Sequence, residues 1–127
     1  MELNEYQERA MSTCMPSCEN FSYMFINLVG ELGEFASKVA KAIRKNKLCI
    51  GTSDNPNDLR LILKNMSADE REKLDRELML EGGDCLWQLA GLCLAMGWKL
   101  EDVAQANLDK LASRKQRGVI DGNGDNR

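Results

Sequence analysis

Apolar residues return along this chain at intervals of three and four for most of its length, the spacing that lines one face of a helix. Leu3, Tyr6, Ala10 and Met11 mark a first short helix, with Asn4 placed as its N-cap and Gln7, three residues on, as the reciprocal partner. Pro16, among Ser17, Glu19 and Asn20, breaks the pattern before a long helix from about Phe21 to Lys45. There Phe21, Met24, Phe25, Leu28, Leu32, Phe35, Val39 and Ile43 form one stripe expected to face the core. From Asn46 to Asn57 the composition turns to Gly51, Ser53, Asp54, Asn55 and Pro56, which predicts a loop, and Leu59 to Leu63 reads as a short added helix. Ser67 followed by Glu70 is a second capping box, opening a helix that runs to about Met96 with a bend expected at Gly82-Gly83. Beyond Gly83 that helix is apolar on nearly every side, from Cys85, Leu86 and Trp87 to Leu94 and Met96, which predicts burial all round by its own domain and a partner subunit. Gly97 suits a C-cap, and the last helix runs from Leu100 to about Arg117 with Leu100, Val103, Ala104, Leu108 and Leu111 inside. Residues 118–127, with Gly118, Gly122 and Gly124, are expected to form a mobile tail.

The 127 residues fit one all-α domain that closes a modest core and gains from pairing with a copy. No apolar run reaches membrane-spanning length and no signal-like N-terminus is present, so the expected location is the cytoplasm, away from membranes. Lys plus Arg number 17 against 20 Asp plus Glu, a net charge of −3 that gives no field for binding a nucleic acid polymer. The 5 cysteines, Cys14, Cys18, Cys49, Cys85 and Cys93, include no CxxC pair and are read as reduced thiols. The chain has no histidine, which removes support for zinc, for the Glu-x-x-His di-iron pattern and for imidazole as a general base.

Two acidic phrases carry the candidate chemistry. Glu31-Leu32-Gly33-Glu34 and Glu81-Gly82-Gly83-Asp84 each set two carboxylates three apart, on one face of a helix. Asn27, Glu31, Glu34 and Lys38 share a strip beside the apolar stripe, and Glu77, Glu81, Asp84 and Gln88 share another. Turned toward each other, the strips make a cluster of negative charge that folding rewards only around a hard, oxygen-seeking cation, here read as Mg²⁺ with Mn²⁺ as a substitute. The same spacing also suits two solvated faces. Gly33, Gly82 and Gly83 weigh toward the first reading, since glycine weakens a helix by about 1 kcal/mol relative to alanine and so suggests that a backbone or ligand comes close.

The last helix carries Asn107, Lys110, Arg114 and Arg117 on one face, a row of donors of the kind a polyphosphate needs; a basic turn answering the helix dipole is the plainer account. Leu3-Asn4-Glu5-Tyr6-Gln7, Asn27 through Glu34, Glu81 through Trp87, and Asn107 through Lys110 to Arg114 together resemble the MazG-like, all-α nucleoside triphosphate pyrophosphohydrolases, over nearly the whole chain and in order. The resemblance implies a helical bundle of four to five helices completed by dimerisation, in some relatives by pairing again to a homotetramer. It implies Mg²⁺-dependent splitting of an NTP or dNTP into the monophosphate and pyrophosphate. Carried over, Glu31, Glu34, Glu81 and Asp84 would be the metal ligands, and Asn107, Lys110 and Arg114 would hold the phosphates.

The sequence departs from the family in two places. Residues near 46 to 66 look like an insertion, and Ser37 and Lys38 stand where relatives often carry a further acid. With no histidine and no evident nucleophile, the expected route is direct attack on phosphorus by a water activated by Mg²⁺ and a carboxylate; which carboxylate takes the proton stays open, with Glu34 the candidate. Gln88, one turn beyond Asp84, is the candidate for base recognition. Two other readings stay open: a catalytically silent helical nucleotide-binding or interaction module, and a pyrophosphohydrolase of a related phosphorylated nucleotide.

Overall fold

The sequence carries its helix boundaries in local signals, and the computed structural model, which describes residues 1–51, 60–63 and 66–122, uses most of them. The elements run α1 (Leu3–Met11), a 3-10 turn (Pro16–Cys18), α2 (Phe21–Arg44), β1 (Leu48–Gly51), β2 (Arg60–Leu63), α3 (Ala68–Ala95) and α4 (Leu100–Gln116). Apart from one small ribbon the fold is all-α. Asn20 caps α2 by accepting a hydrogen bond from the Tyr23 amide at 2.9 Å. The Ser67 box is closed at both ends: the Ser67 amide donates to Glu70 Oε2 at 2.9 Å, and the Glu70 amide donates to Ser67 Oγ at 3.2 Å. Gly97 takes φ +73°, with Trp98 N–H donating to Cys93 O and Gly97 N–H to Leu94 O, the paired bonds that end a helix in a left-handed residue. Asn46 and Gly118 end α2 and α4 the same way. The α3 helix runs unbroken through Gly82-Gly83.

The chain divides into two compact units, Met1–Met24 with Leu89–Arg127, and Phe25–Gln88. In the first, α1 packs on α4, and the buried set is Met11, Cys18, Met24, Ala90, Cys93 and Leu100. Gly91 makes room for this core, because a Cβ there would land on the Sδ and Cε of Met24. The expected capping box of α1 is not formed, which corrects the reading of Asn4 and Gln7. Asn4 Oδ1 accepts from the Glu101 amide at 3.1 Å and Gln7 Oε1 from the Leu100 amide at 3.0 Å, so both side chains cap the start of α4 instead. The Gln7 amide nitrogen donates at 3.1 Å to both Ala90 O and Trp98 O. One buried side chain thus satisfies three backbone groups at the α3–α4 turn. The end of α4 continues through hydrogen-bonded turns to Gly122; the remainder of the expected tail, 123–127, lies outside the described residues.

The second unit holds most of α2 and α3 and the ribbon. β1 and β2 pair antiparallel with Leu48 opposite Leu63 and Gly51 opposite Arg60. The expected loop and short helix are corrected here: Leu48–Gly51 and Arg60–Leu63 are strands, each too short to nucleate a helix but able to complete its backbone bonds against the other. The rest of the expected insertion, 52–59 and 64–65, lies outside the described residues.

Burial in the single chain also differs from the apolar pattern. In the α2 stripe Met24 is 1% exposed, but Phe25 and Leu32 are 51% and 56% exposed, and Phe21 and Ile43 are open as well. On α3, Ala90, Gly91 and Cys93 are buried while Leu86, Leu89, Leu94 and Met96 are not, so that helix is one-sided rather than enclosed. Helical spacing reports which residues share a face; it does not report how much of that face the same chain covers. Among the described residues, no helix is long and apolar enough to cross a membrane.

Replacing Gln7 by Ala leaves the Leu100 amide and two carbonyls to find other partners. The expected loss is about 3 kcal/mol in urea unfolding at neutral pH, from unmet buried groups at roughly 1–3 kcal/mol each.

Candidate metal centre

The two acidic strips face each other in the second unit. One carboxylate oxygen from each of Glu31, Glu34 and Glu81 lies within 4.8 Å of the others. Glu31 and Glu34 come from α2, one turn apart, and Glu81 from α3, so the site depends on the spacing of two helices rather than on one motif. Asp84, the fourth sequence-predicted ligand, stands outside this trio and is exposed, although its charge still reaches Glu31.

The trio is under electrostatic load. Glu31 is held above the ordinary carboxylate range, first by desolvation and then by the charges of Glu34 and Asp84, with a smaller push from Glu81; the hydrogen bond that Asn27 Nδ2 donates to Glu31 Oε1 at 2.9 Å opposes the shift. Cys85, next to Asp84, is pushed up by desolvation and then by the charges of Glu31, Asp84 and Glu81, which keeps its thiol protonated. The donor chemistry fits a hard divalent cation: oxygen ligands only, closely convergent, with mutual repulsion that such an ion removes. A Cβ built on Gly33, Gly82 or Gly83 would meet nothing within 4 Å, so no other part of the described chain approaches these glycines.

Sequence spacing placed Lys38 on the strip of Glu31 and Glu34 but did not signal its partner on α3. Lys38 Nζ lies 3.2 Å from Glu81 Oε1, with side chains 35% and 13% exposed. Lys38 stands four residues after Glu34, and helical spacing marks it as a neighbour of those acids, though not as a partner of α3. It also lines a groove of about 340 Å³ whose walls carry Lys41, Lys45, Lys47 and Lys73. A cavity of about 650 Å³ lies between Leu48, Met66, Leu74 and Leu78, and none of the four candidate ligands borders it.

The other predicted site residues are placed as follows. Asn107 and Lys110 are exposed on α4 in the first unit, whereas Arg114 on the same helix is 6% exposed. Arg117 is exposed and its Nε donates to Ser113 Oγ at 3.2 Å. Gln88, in the second unit with the acids, is 4% exposed, and its Oε1 has no hydrogen-bond partner among the described residues. Helical spacing anticipated the shared faces of these residues, and the apolar segment around Gln88 its burial, but it missed the depth of Arg114.

Residues 20–119 match the model of the MazG nucleotide pyrophosphohydrolase domain. The chain is 37% identical over 134 aligned positions to Gene 37 protein of Mycobacterium phage L5, the match covering 100% of both chains. No solved structure matches.

The raised Glu31 carboxyl has a consequence for stability. Its proton is held more firmly in the folded than in the unfolded chain, so the metal-free protein gains stability as the pH falls through the raised value, and the gain is complete below the unfolded-state value. Glu31→Gln is expected to lack that rise and to melt higher than the parent at neutral pH in EDTA, as measured by calorimetry from about pH 4 to pH 7. Mg²⁺ is expected to raise the parent's melting temperature and to leave that of Glu31→Gln nearly unmoved.

Proposed function

We propose that this chain, which belongs to the MazG nucleotide pyrophosphohydrolase family, hydrolyses a nucleoside or deoxynucleoside triphosphate to the monophosphate and pyrophosphate with Mg²⁺, as a cytoplasmic homo-oligomer acting on the nucleotide pool. The observation that carries the reading is the convergence of Glu31, Glu34 and Glu81 from two helices. Glu31, Glu34 and Glu81 would hold the ion, with Asp84 as a further ligand. The bound ion would supply charge neutralisation at the phosphates and a more acidic water.

What the side chains themselves contribute follows from their chemistry. Glu34 is the exposed member of the trio, and it takes the proton of the water whose oxygen bonds to the α-phosphorus as the bond to the leaving pyrophosphate breaks. No side chain becomes covalently attached. Asn107 and Lys110 are offered as donors to the phosphates, with Arg114 beside them on α4 and Gln88 for the base.

A second copy would cover apolar surface that the single chain leaves open. Phe25, Ile26, Val29 and Leu32 on α2 are 51–69% exposed, a concentration of large apolar groups that favours burial against a partner. Val29→Glu is expected to reduce the sedimenting mass of the native particle to that of the monomer.

The activity is tested by incubating the protein with Mg²⁺ and a panel of NTPs and dNTPs and measuring pyrophosphate and orthophosphate separately. Pyrophosphate release is expected; orthophosphate alone would move the assignment to a related substrate, and no release of either would favour a silent binding module. Glu34→Gln and Asp84→Asn should each lower turnover by roughly a hundredfold or more, since even residues that only support a metal's ligands are worth 10–100-fold, while circular dichroism stays unchanged.

A further inference from the structure

Lys38 brings a fixed positive charge to a cluster otherwise made of carboxylates. Its ammonium is 3.2 Å from Glu81 Oε1, and Glu81 is one of the three acids whose oxygens lie within 4.8 Å of one another. Phosphoryl-transfer sites that use two divalent ions hold them about 3.5–4 Å apart, with carboxylates shared between them. Such a site needs four positive charges balanced at close range. Here Glu31, Glu34, Glu81 and Asp84 supply four negative charges, but Lys38 already answers one of them. It also engages one of the two oxygens with which Glu81 could bridge a pair of ions.

We propose that Lys38 stands in place of a second metal: it limits the acidic cluster to one divalent ion, and its tethered ammonium supplies charge that a second ion would otherwise bring. The inference rests on the reading of Glu31, Glu34 and Glu81 as metal holders. Lys38 acts here through Glu81 and is a positioning residue. Its second exposure, to the lysine-walled groove, gives the same ammonium a face toward an anionic ligand. Among the described residues, Lys41, Lys45 and Lys73 in that groove form no ion pair, so Lys38 is the wall residue that joins it to the acids.

The experiment counts ions rather than turnover. The full chain is stripped with EDTA and titrated with Mn²⁺, with bound metal read by calorimetry and free Mn²⁺ by electron paramagnetic resonance. The parent should bind one ion. Lys38→Met should bind two, the first roughly tenfold more tightly, the order expected when one partly screened unit charge is removed from beside a divalent ion. Lys38→Arg should restore the single ion, because the charge and not the shape of lysine sets the count. The side chain is partly solvent-exposed, and circular dichroism of metal-free Lys38→Met checks that the fold is kept. A Lys38→Met chain that still takes one ion, or a parent that takes two, overturns the role of Lys38 and leaves the metal site standing. A parent that binds no Mn²⁺ overturns the metal site itself.

Discussion

Like charges held close together repel, and that constraint governs the arrangement around Glu31, Glu34 and Glu81. Three carboxylates within 4.8 Å are costly in any fold, and this one lowers the cost with two donors of its own, Lys38 against Glu81 and Asn27 against Glu31. Glu31 stays above the ordinary carboxylate range all the same, first through desolvation and then through the charges of Glu34 and Asp84. A site that is electrostatically unfavourable when empty is one whose occupant contributes to stability as well as chemistry.

Much of the secondary structure was legible because helix signals are local. Asn20, Ser67, Gly97 and Gly118 act on their immediate neighbours, and the helices begin and end where those residues stand. Asn4 and Gln7 show the limit of such reading. Their spacing suits a capping box, yet their side chains serve amides more than 90 residues away, at Leu100 and Glu101. The ribbon is the same lesson from the other side. Neither Leu48–Gly51 nor Arg60–Leu63 carries enough residues to announce a strand, and each becomes one only through the other.

For the site, period and charge placed the acids on matching faces, and Glu31, Glu34 and Glu81 do converge. Asp84 shares the strip of Glu81 yet stands outside the trio, although its charge still reaches Glu31. Depth was legible only in part: Gln88 lies in the segment beyond Gly83 that the apolar pattern predicts to be buried, whereas nothing in the spacing marked Arg114 as deep. Arg114 and Gln88 are both nearly buried, while apolar Phe25 and Leu32 are half open. A hydrophobic pattern cannot distinguish the surface a chain hides within itself from the surface it reserves for another chain. Lys38 is the informative case: a residue that reads as a departure from its family proves to be the ion-pair partner of a candidate ligand.

The hydrogen bonds from α1 to the start of α4 also set an order of events during synthesis. Gln7 lies on α1, but the amide it must meet belongs to Leu100, and Ala90 and Trp98 emerge only shortly before that residue. Until residue 100 has left the exit tunnel, α1 lacks this anchor, and closing so long a loop slows the search for it. Docking of α1 is therefore a late step, and a nascent chain halted before residue 100 would expose that helix to chaperones and proteases.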